Sequence, residues 1–221
     1  MSAVAIGLRQ DGDVSANEPD PPVETAAVSP RFHLDELLRE LQARLQAVVD
    51  TRDRLHALLD AVLAIGSNLD DPRVRVEEAF ARLARFDRSR LVARSRLYRS
   101  RPMGPQDQPD FLNAVAGLLT ALDTRELLEA MLSVERAMGR RRRERWGPRI
   151  VDLDLIWIPG APIAEPDLEV PHPGVRERNF VLYPLADIAP TLVIPGCGRV
   201  SELKERIGGE GIVVLDDERS N

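Results

Sequence analysis

The stretch GRRRRERWGPRIVDLDLIWI, residues 139–158, limits the folds open to this chain more than any other. Its second half, 150–158, has the length and apolar character of a buried strand, yet Asp152 and Asp154 stand in it two residues apart. Side chains alternate across a strand, so the two carboxylates share one face while Val151, Leu153 and Leu155 share the other. Such a strand lays one face on a core and turns the other toward cations, because a half-sunk carboxylate without a partner is very costly. Two adjacent carboxylates also raise each other's pKa unless a metal neutralises them. Oxygen donors with no His or Cys beside them suit Mg2+ better than Zn2+. The competing reading is the solvent face of an edge strand paired with arginines, and for an isolated Asp-x-Asp that reading is the default.

The loop before the strand shifts the balance. Between 140 and 149, Arg140, Arg141, Arg142, Arg143, Arg145 and Arg149 stand against Glu144 alone. The whole chain carries a net charge of −6, which argues against a general nucleic-acid binder and makes the local basic cluster more informative. Lys204 is the only lysine, so the position of an arginine says more than its identity. Magnesium sites with one or two protein carboxylates borrow further ligands from substrate phosphates. Arginines grip those same phosphates in bidentate fashion. A solvated charge run or a basic localisation patch is the bland alternative, but neither requires Trp146 or the nearby Asp pair. Taken jointly, the loop and strand read as a site for a nucleoside triphosphate with its magnesium. No G-x-x-x-x-G-K-[ST] sequence is present, so ATP would be held without a P-loop.

The 221 residues, 43% hydrophobic and 30% charged, suffice for one sizeable core with an appendage. Residues 1–31, with four prolines among acidic and small residues, read as a disordered tail. Residues 32–60 repeat leucines at three- and four-residue steps and read as an amphipathic helix, a coiled-coil candidate for homodimerisation. The main domain is expected over 61–215, followed by a short tail, 216–221. Its first element, around Val62–Ile65, reads equally as a continuation of the helix or as a short buried strand stopped by Gly66. The alternation of elements after it favours the strand. A helix from Asp70-Asp71-Pro72 to Phe86, a strand over 90–98 and a strand over 111–122 come next. Asp123 and Glu126 form a capping-box pattern opening a helix to Met138, which Gly139 ends. After the strand at 150–158, short helices are expected near 175–185 and 201–207. The β-α-β-β-α-β order predicts an α+β fold, a ferredoxin-like antiparallel sheet with helices packed on it. No apolar run reaches membrane-spanning length, the N-terminus lacks the pattern of a secretory signal, and one cysteine excludes an internal disulfide. The cytoplasm is the expected location.

The residues also carry a resemblance. RWGPRIVDLDL at 145–155 resembles the hallmark of the 6-hydroxymethyl-7,8-dihydropterin pyrophosphokinase family of folate biosynthesis. AIGSNL at 64–69, YRSRPMGPQDQPDFLNAV at 98–115 and VPHPGVRERNFVLYPLADIAP at 170–190 resemble three further blocks, in the family's order. The resemblance implies transfer of the β,γ-pyrophosphoryl group of ATP to the hydroxymethyl of a reduced pterin, leaving AMP. It implies that Asp152 and Asp154 bridge two Mg2+ ions. It implies a pterin sandwiched by Phe111 and Phe180, read by Asn113 and touched by the backbone of Ser100, Arg101 and Met103. Alternation agrees, since Phe111 and Asn113 share a strand face, and a core face with an asparagine is the weaker reading. His172 and Arg178 match phosphate-contacting positions. Arg145, Trp146 and Arg149 carry over to the nucleotide, as do Arg140 and Arg142 in an ambiguous register. Glu135 matches a position near the nucleotide and reads equally as an exposed helix residue. Arg140 and Arg149 join the Asp pair as catalytic candidates. No residue stands out as a strong base, in line with a reaction that needs positioning and charge neutralisation.

Two other readings compete. One is a catalytically inactive relative acting through its N-terminal helix. The other is a basic RNA-binding sheet, opposed by the net acidity and by the lack of aromatic RNP strands.

Overall fold

The structure, a computed structural model, describes residues 38–46, 58–140 and 147–215. The chain divides into two units, Met1–Ala43 and Arg44–Asn221. Of the expected 32–60 helix, residues 38–46 are described and are helical (α1). Leu38, Leu41 and Leu45 on it are 48%, 55% and 66% exposed, so its apolar stripe is not buried. The rest of that expected helix, residues 58–60 apart, lies outside the described residues, as do the tails 1–31 and 216–221.

Residues 61–67 form strand β1 (Ala61–Ser67), not a continuation of the helix. Gly66 lies inside the strand and not at its end. The chain continues through α2 (Pro72–Leu83), β2 (Ser89–Arg94), β3 (Leu97–Ser100), β4 (Phe111–Thr120), α3 (Thr124–Ala137) and β5 (Asp152–Trp157). A small hairpin, β6 (Ile163–Glu165) and β7 (Leu168–Val170), comes next. A 3-10 turn at Val175–Glu177 leads into α4 (Asn179–Ile188), and then come β8 (Val193–Ile194), β9 (Gly198–Arg199), α5 (Val200–Ile207) and β10 (Ile212–Leu215).

Local chemistry sets the element ends. The Asp71 carboxylate accepts the Val74 N–H, with Pro72 opening α2 where its missing N–H costs nothing. The Asp123 and Glu126 side chains complete a capping box at α3. Gly139, at φ 85°, ends that helix in a conformation glycine adopts freely. The expected strand 90–98 is two strands. Ser95 interrupts it, its Oγ accepting the Val115 N–H at 2.8 Å and donating to the Arg96 carbonyl at 2.7 Å. A hydroxyl so placed offers the backbone an alternative to the ladder, which periodicity alone does not reveal.

The main sheet is antiparallel, ordered β10-β3-β4-β1-β5, with β2 also paired to β4. Its two faces bury separate cores. Leu63, Ile65, Leu112, Ala114, Leu153 and Leu155 pack with Val76 and Phe80 of α2 and Leu127 and Met131 of α3. Val62, Val115 and Ile156 pack on the opposite face with Val181, Leu182 and Leu185 of α4 and Leu203 of α5. The second face is only partly covered. Beyond Val115 and Ile156 it continues through Asn113, Gly66, Asp154 and Asp152, and there the site lies.

Candidate active site

The floor of the site is one row across three central strands. Gly66 on β1 pairs with Asn113 on β4 and with Asp152 on β5. Ala64, one step back on the same face, pairs with Val115 and Asp154. A Cβ on Gly66 would stand 3.6 Å from Asn113 Oδ1, 3.9 Å from the Asp152 Cβ and 4.0 Å from the Phe111 ring. Glycine and alanine here leave a flat floor between larger walls. A glycine inside a strand often marks close approach by a ligand, and Gly66 is the sequence signal through which this floor could be found.

Above the floor opens a cleft of about 510 Å3. Ser100, Arg101, Met103, Phe111, Asn113 and Phe180 line it, as do Arg140, Arg149, Asp152, Asp154, His172 and Arg178. These are sequence candidates, brought together from three segments of the chain. Gly104, Gly147, Pro148 and Val181 line it too and are not among those candidates. Arg142, Arg145 and Trp146 lie outside the described residues. Glu135 does not line this cleft. It is 4% exposed and borders a second cavity of about 220 Å3 with Arg140, which corrects its reading as an exposed helix residue.

The carboxylates are held by cations. Asp152 accepts ion pairs from Arg140, at 2.6 Å, and from Arg149. Asp154 Oδ2 lies 3.2 Å from Arg178 Nη1 and 3.8 Å from His172 Nε2. The Gly174 N–H donates to His172 Nδ1 at 3.0 Å, so in the neutral ring the proton sits on Nε2, facing Asp154. Burial pushes the Asp154 carboxyl above its ordinary range, and the charge on Asp152 adds to it, with His172, Arg178 and Arg140 pulling down. Burial likewise holds His172 below its ordinary value, against the charge of Asp154. Glu135 is raised by burial, opposed by the Arg140 charge and by the Leu153 N–H that its Oε1 accepts at 2.8 Å. That bond lands on the residue between the two aspartates, and Glu135 also pairs with Arg140.

The opposite end of the cleft is less charged. Asn113 is 5% exposed, and its Nδ2 donates to Ser100 Oγ at 2.9 Å and the Tyr98 carbonyl at 3.3 Å. These bonds fix the amide with its oxygen toward Gly66. Phe111 and Phe180 supply aromatic surface, and the Arg178 guanidinium sits 6.0 Å from the Phe180 ring centre. The cleft thus joins a flat, aromatic, amide-lined end to a carboxylate and arginine end. It suits a planar heteroaromatic beside a polyphosphate.

The sequence profile of the 7,8-dihydro-6-hydroxymethylpterin-pyrophosphokinase (HPPK) family matches residues 62–190, the segment that builds this cleft. The chain belongs to this family. It is 45% identical over 150 residues to the 2-amino-4-hydroxy-6-hydroxymethyldihydropteridine pyrophosphokinase of Pseudomonas aeruginosa, covering 68% of this chain and 93% of that HPPK. It is 48% identical over 136 residues to the enzyme of the same name from Methylorubrum extorquens, covering 62% and 86%. The Plasmodium falciparum HPPK-DHPS structure with pteroate shares the fold at 15% identity, with a TM-score of 0.53 over 66% of this chain and 42% of that one. The HPPK match ends short of both the N-terminal helix and β10. No helix among the described residues is long and apolar enough to cross a membrane.

Proposed function

We propose that this chain transfers pyrophosphate from ATP to 6-hydroxymethyl-7,8-dihydropterin, releasing AMP. The observation that carries the reading is the floor row Asn113–Gly66–Asp152, which sets an amide reader and a carboxylate on either side of a glycine. The pterin lies on that glycine between Phe111 and Phe180, its amide edge on Asn113 and its rim on the backbone of Ser100, Arg101 and Met103. The triphosphate lies toward Asp152 and Asp154, gripped by Arg140, Arg149, His172 and Arg178, and the family resemblance adds Arg142, Arg145 and Trp146 to the nucleotide-binding residues. Glu135 acts from beneath, through Arg140 and the Leu153 N–H.

The donor set fits magnesium. Asp152 and Asp154 offer oxygen only, on one strand face, and among the described residues no group of three His, Cys, Asp or Glu could enclose an ion. A site of this kind is completed by phosphate oxygens, and two Mg2+ ions are the reading here. Magnesium, when bound, neutralises and orients the phosphates for in-line transfer. The protein's own residues exclude water, align the pterin hydroxymethyl and spread positive charge over the phosphates. No observation favours an inactive interaction module. The sheet order is read as ferredoxin-like, with 61–215 as the catalytic domain. The stripe Leu38, Leu41, Leu45 is read as a homodimer contact, and the cytoplasm as the location.

The experiment is AMP release from ATP and Mg2+ with and without the pterin, for the parent chain and for Asp152→Ala. Pterin-dependent AMP that disappears in the variant supports the reading. AMP that is absent, or independent of pterin, overturns it.

A further inference from the structure

Asn68 does not line the cleft and is 2% exposed, yet it bonds to two margins of the cleft, the 101–110 loop and the turn at 147–150. Its Oδ1 accepts the Arg149 N–H at 2.8 Å, and its own N–H donates to the Arg149 carbonyl at 3.1 Å. Its Nδ2 donates to the Pro109 carbonyl and to Gln108 Oε1, each at 3.1 Å. Gln108 in turn donates to the Pro105 carbonyl at 2.9 Å, carrying the connection back toward Met103 and Gly104 on the cleft wall. On the other side, the Arg149 side chain reaches Asp152.

We propose that Asn68 is a positioning residue that ties the two walls of the cleft together, setting the pterin-side loop through its two amide hydrogens and the Arg149 backbone through its amide oxygen. The proposal rests on the pyrophosphokinase reading for its kinetic consequences, but not for its geometry. An amide is the side chain the position needs. It presents donors and an acceptor at once, in a buried place where an unmade bond costs the full desolvation of the group left behind. Aspartate keeps the oxygen and loses the donors. Alanine loses both. The two halves of the clamp are therefore separable by substitution.

The test uses the full chain with Asn68→Asp, Asn68→Ala, Gln108→Ala and the Asn68→Asp/Gln108→Ala pair. Asn68→Asp raises KM for the pterin about tenfold, equivalent to about 1.4 kcal/mol, and leaves KM for ATP within about twofold. Asn68→Ala raises both and lowers kcat, since Arg149 is released as well. Gln108→Ala acts on the pterin KM alone, and its effect is less than additive with Asn68→Asp, as expected for one connected pair. Amide hydrogen exchange supplies a readout independent of turnover. Asn68→Asp speeds exchange in 101–110 and spares the Arg149 amide, while Asn68→Ala speeds both. A merely structural role predicts a lower kcat with both KM values unchanged, or uniform loss of protection, and either result overturns the proposal. If Asn68→Asp does not fold, Gln108→Ala decides alone, and an unchanged pterin KM and exchange rate in it rejects the clamp. A parent chain without pterin-dependent AMP overturns the activity, and the exchange pattern then still decides the clamp.

Discussion

Arg178 Nη1 lies 3.2 Å from Asp154 Oδ2, and the same Nη1 lies 3.3 Å from His172 Nε2. One guanidinium thus sets its charge beside a carboxylate that burial disfavours as an anion and an imidazole that burial disfavours as a cation. The Arg178 charge favours the anion at Asp154 and opposes a proton on His172. The proposed metal-binding role and stability therefore pull apart at this position. Replacing Asp154 by Asn removes, at nearly constant volume, a half-exposed charge that desolvation and the Asp152 charge both disfavour. We predict that Asp154→Asn lowers kcat/KM more than about 100-fold, beyond the scale of outer-shell effects at metal sites, while the melting temperature holds or rises. Differential scanning calorimetry beside steady-state kinetics checks both. Activity within about threefold of the parent would remove Asp154 from the proposed metal ligands.

Glu135 makes a different prediction for each substitution. Glu135→Gln keeps an oxygen for the buried Leu153 N–H but gives up the charge that pairs with Arg140. Stability should change little, and turnover should fall because Arg140 loses one of its two anchors. Glu135→Ala leaves the Leu153 N–H without an acceptor next to both aspartates, costing about 1–3 kcal/mol. Urea unfolding of the two variants separates the roles. Equal destabilisation by both would mean that the ion pair, not the backbone bond, is the structural contribution.

Tyr98 predicts a pH dependence away from the site. It is 3% exposed, and its hydroxyl donates to Asp187 at 2.9 Å while accepting from Arg96 at 2.9 Å. Burial and then the Asp187 carboxylate push its pKa up to about 12. A folded pKa above the unfolded value of about 10 means a contribution fully present below about pH 10 and lost as pH rises toward 12. Tyr98→Phe should therefore be less stable than the parent by about 1–3 kcal/mol at about pH 9, with the gap narrowing by about pH 11.5. A gap that stays constant across that range would mean that ionisation of the Tyr98 hydroxyl is not linked to folding.

Much of this architecture is legible in the chain, and for physical reasons. Capping chemistry is local, so Asp71-Pro72 and the Asp123–Glu126 pair announce α2 and α3 without any tertiary context. Period-two alternation puts Asp152 with Asp154 and Phe111 with Asn113 on faces that the sheet brings side by side. The hidden features depend on distant partners. Ser95 reads as an ordinary strand residue until Val115 is seen to donate to it. β10, IVVL at 212–215, is four apolar residues with no periodicity to exploit, and only its pairing to β3 makes it a strand. Asn68 appears in the sequence only as part of the AIGSNL block, with no pattern that marks its role. Its bonds join segments 40 and more residues apart. Gly66 reads as the end of a strand that in fact runs through it, because a glycine stops a strand as readily as it opens space within one.

Gly174 makes the sharpest prediction about the proposed phosphate end. Its N–H donates to His172 Nδ1, and a Cβ built on it would stand 2.7 Å from Arg178 Nε and 3.1 Å from the guanidinium carbon. Those atoms are the guanidinium end of a flexible side chain, so Arg178 itself yields to the contact by moving. The residue's backbone, at φ −85°, is open to any amino acid, so Gly174→Ala introduces the contact without straining the chain. We predict that Gly174→Ala swings Arg178 away from Asp154 and lowers kcat/KM for ATP about tenfold or more, while the melting temperature moves by no more than about 3 °C, because an arginine 16% exposed at its side chain can turn outward to solvent. Removing Arg178 as well settles the cause. If the glycine acts through that side chain, Gly174→Ala adds nothing in an Arg178→Ala background. Full additivity of the two substitutions would mean that the alanine disturbs His172 or the turn itself instead.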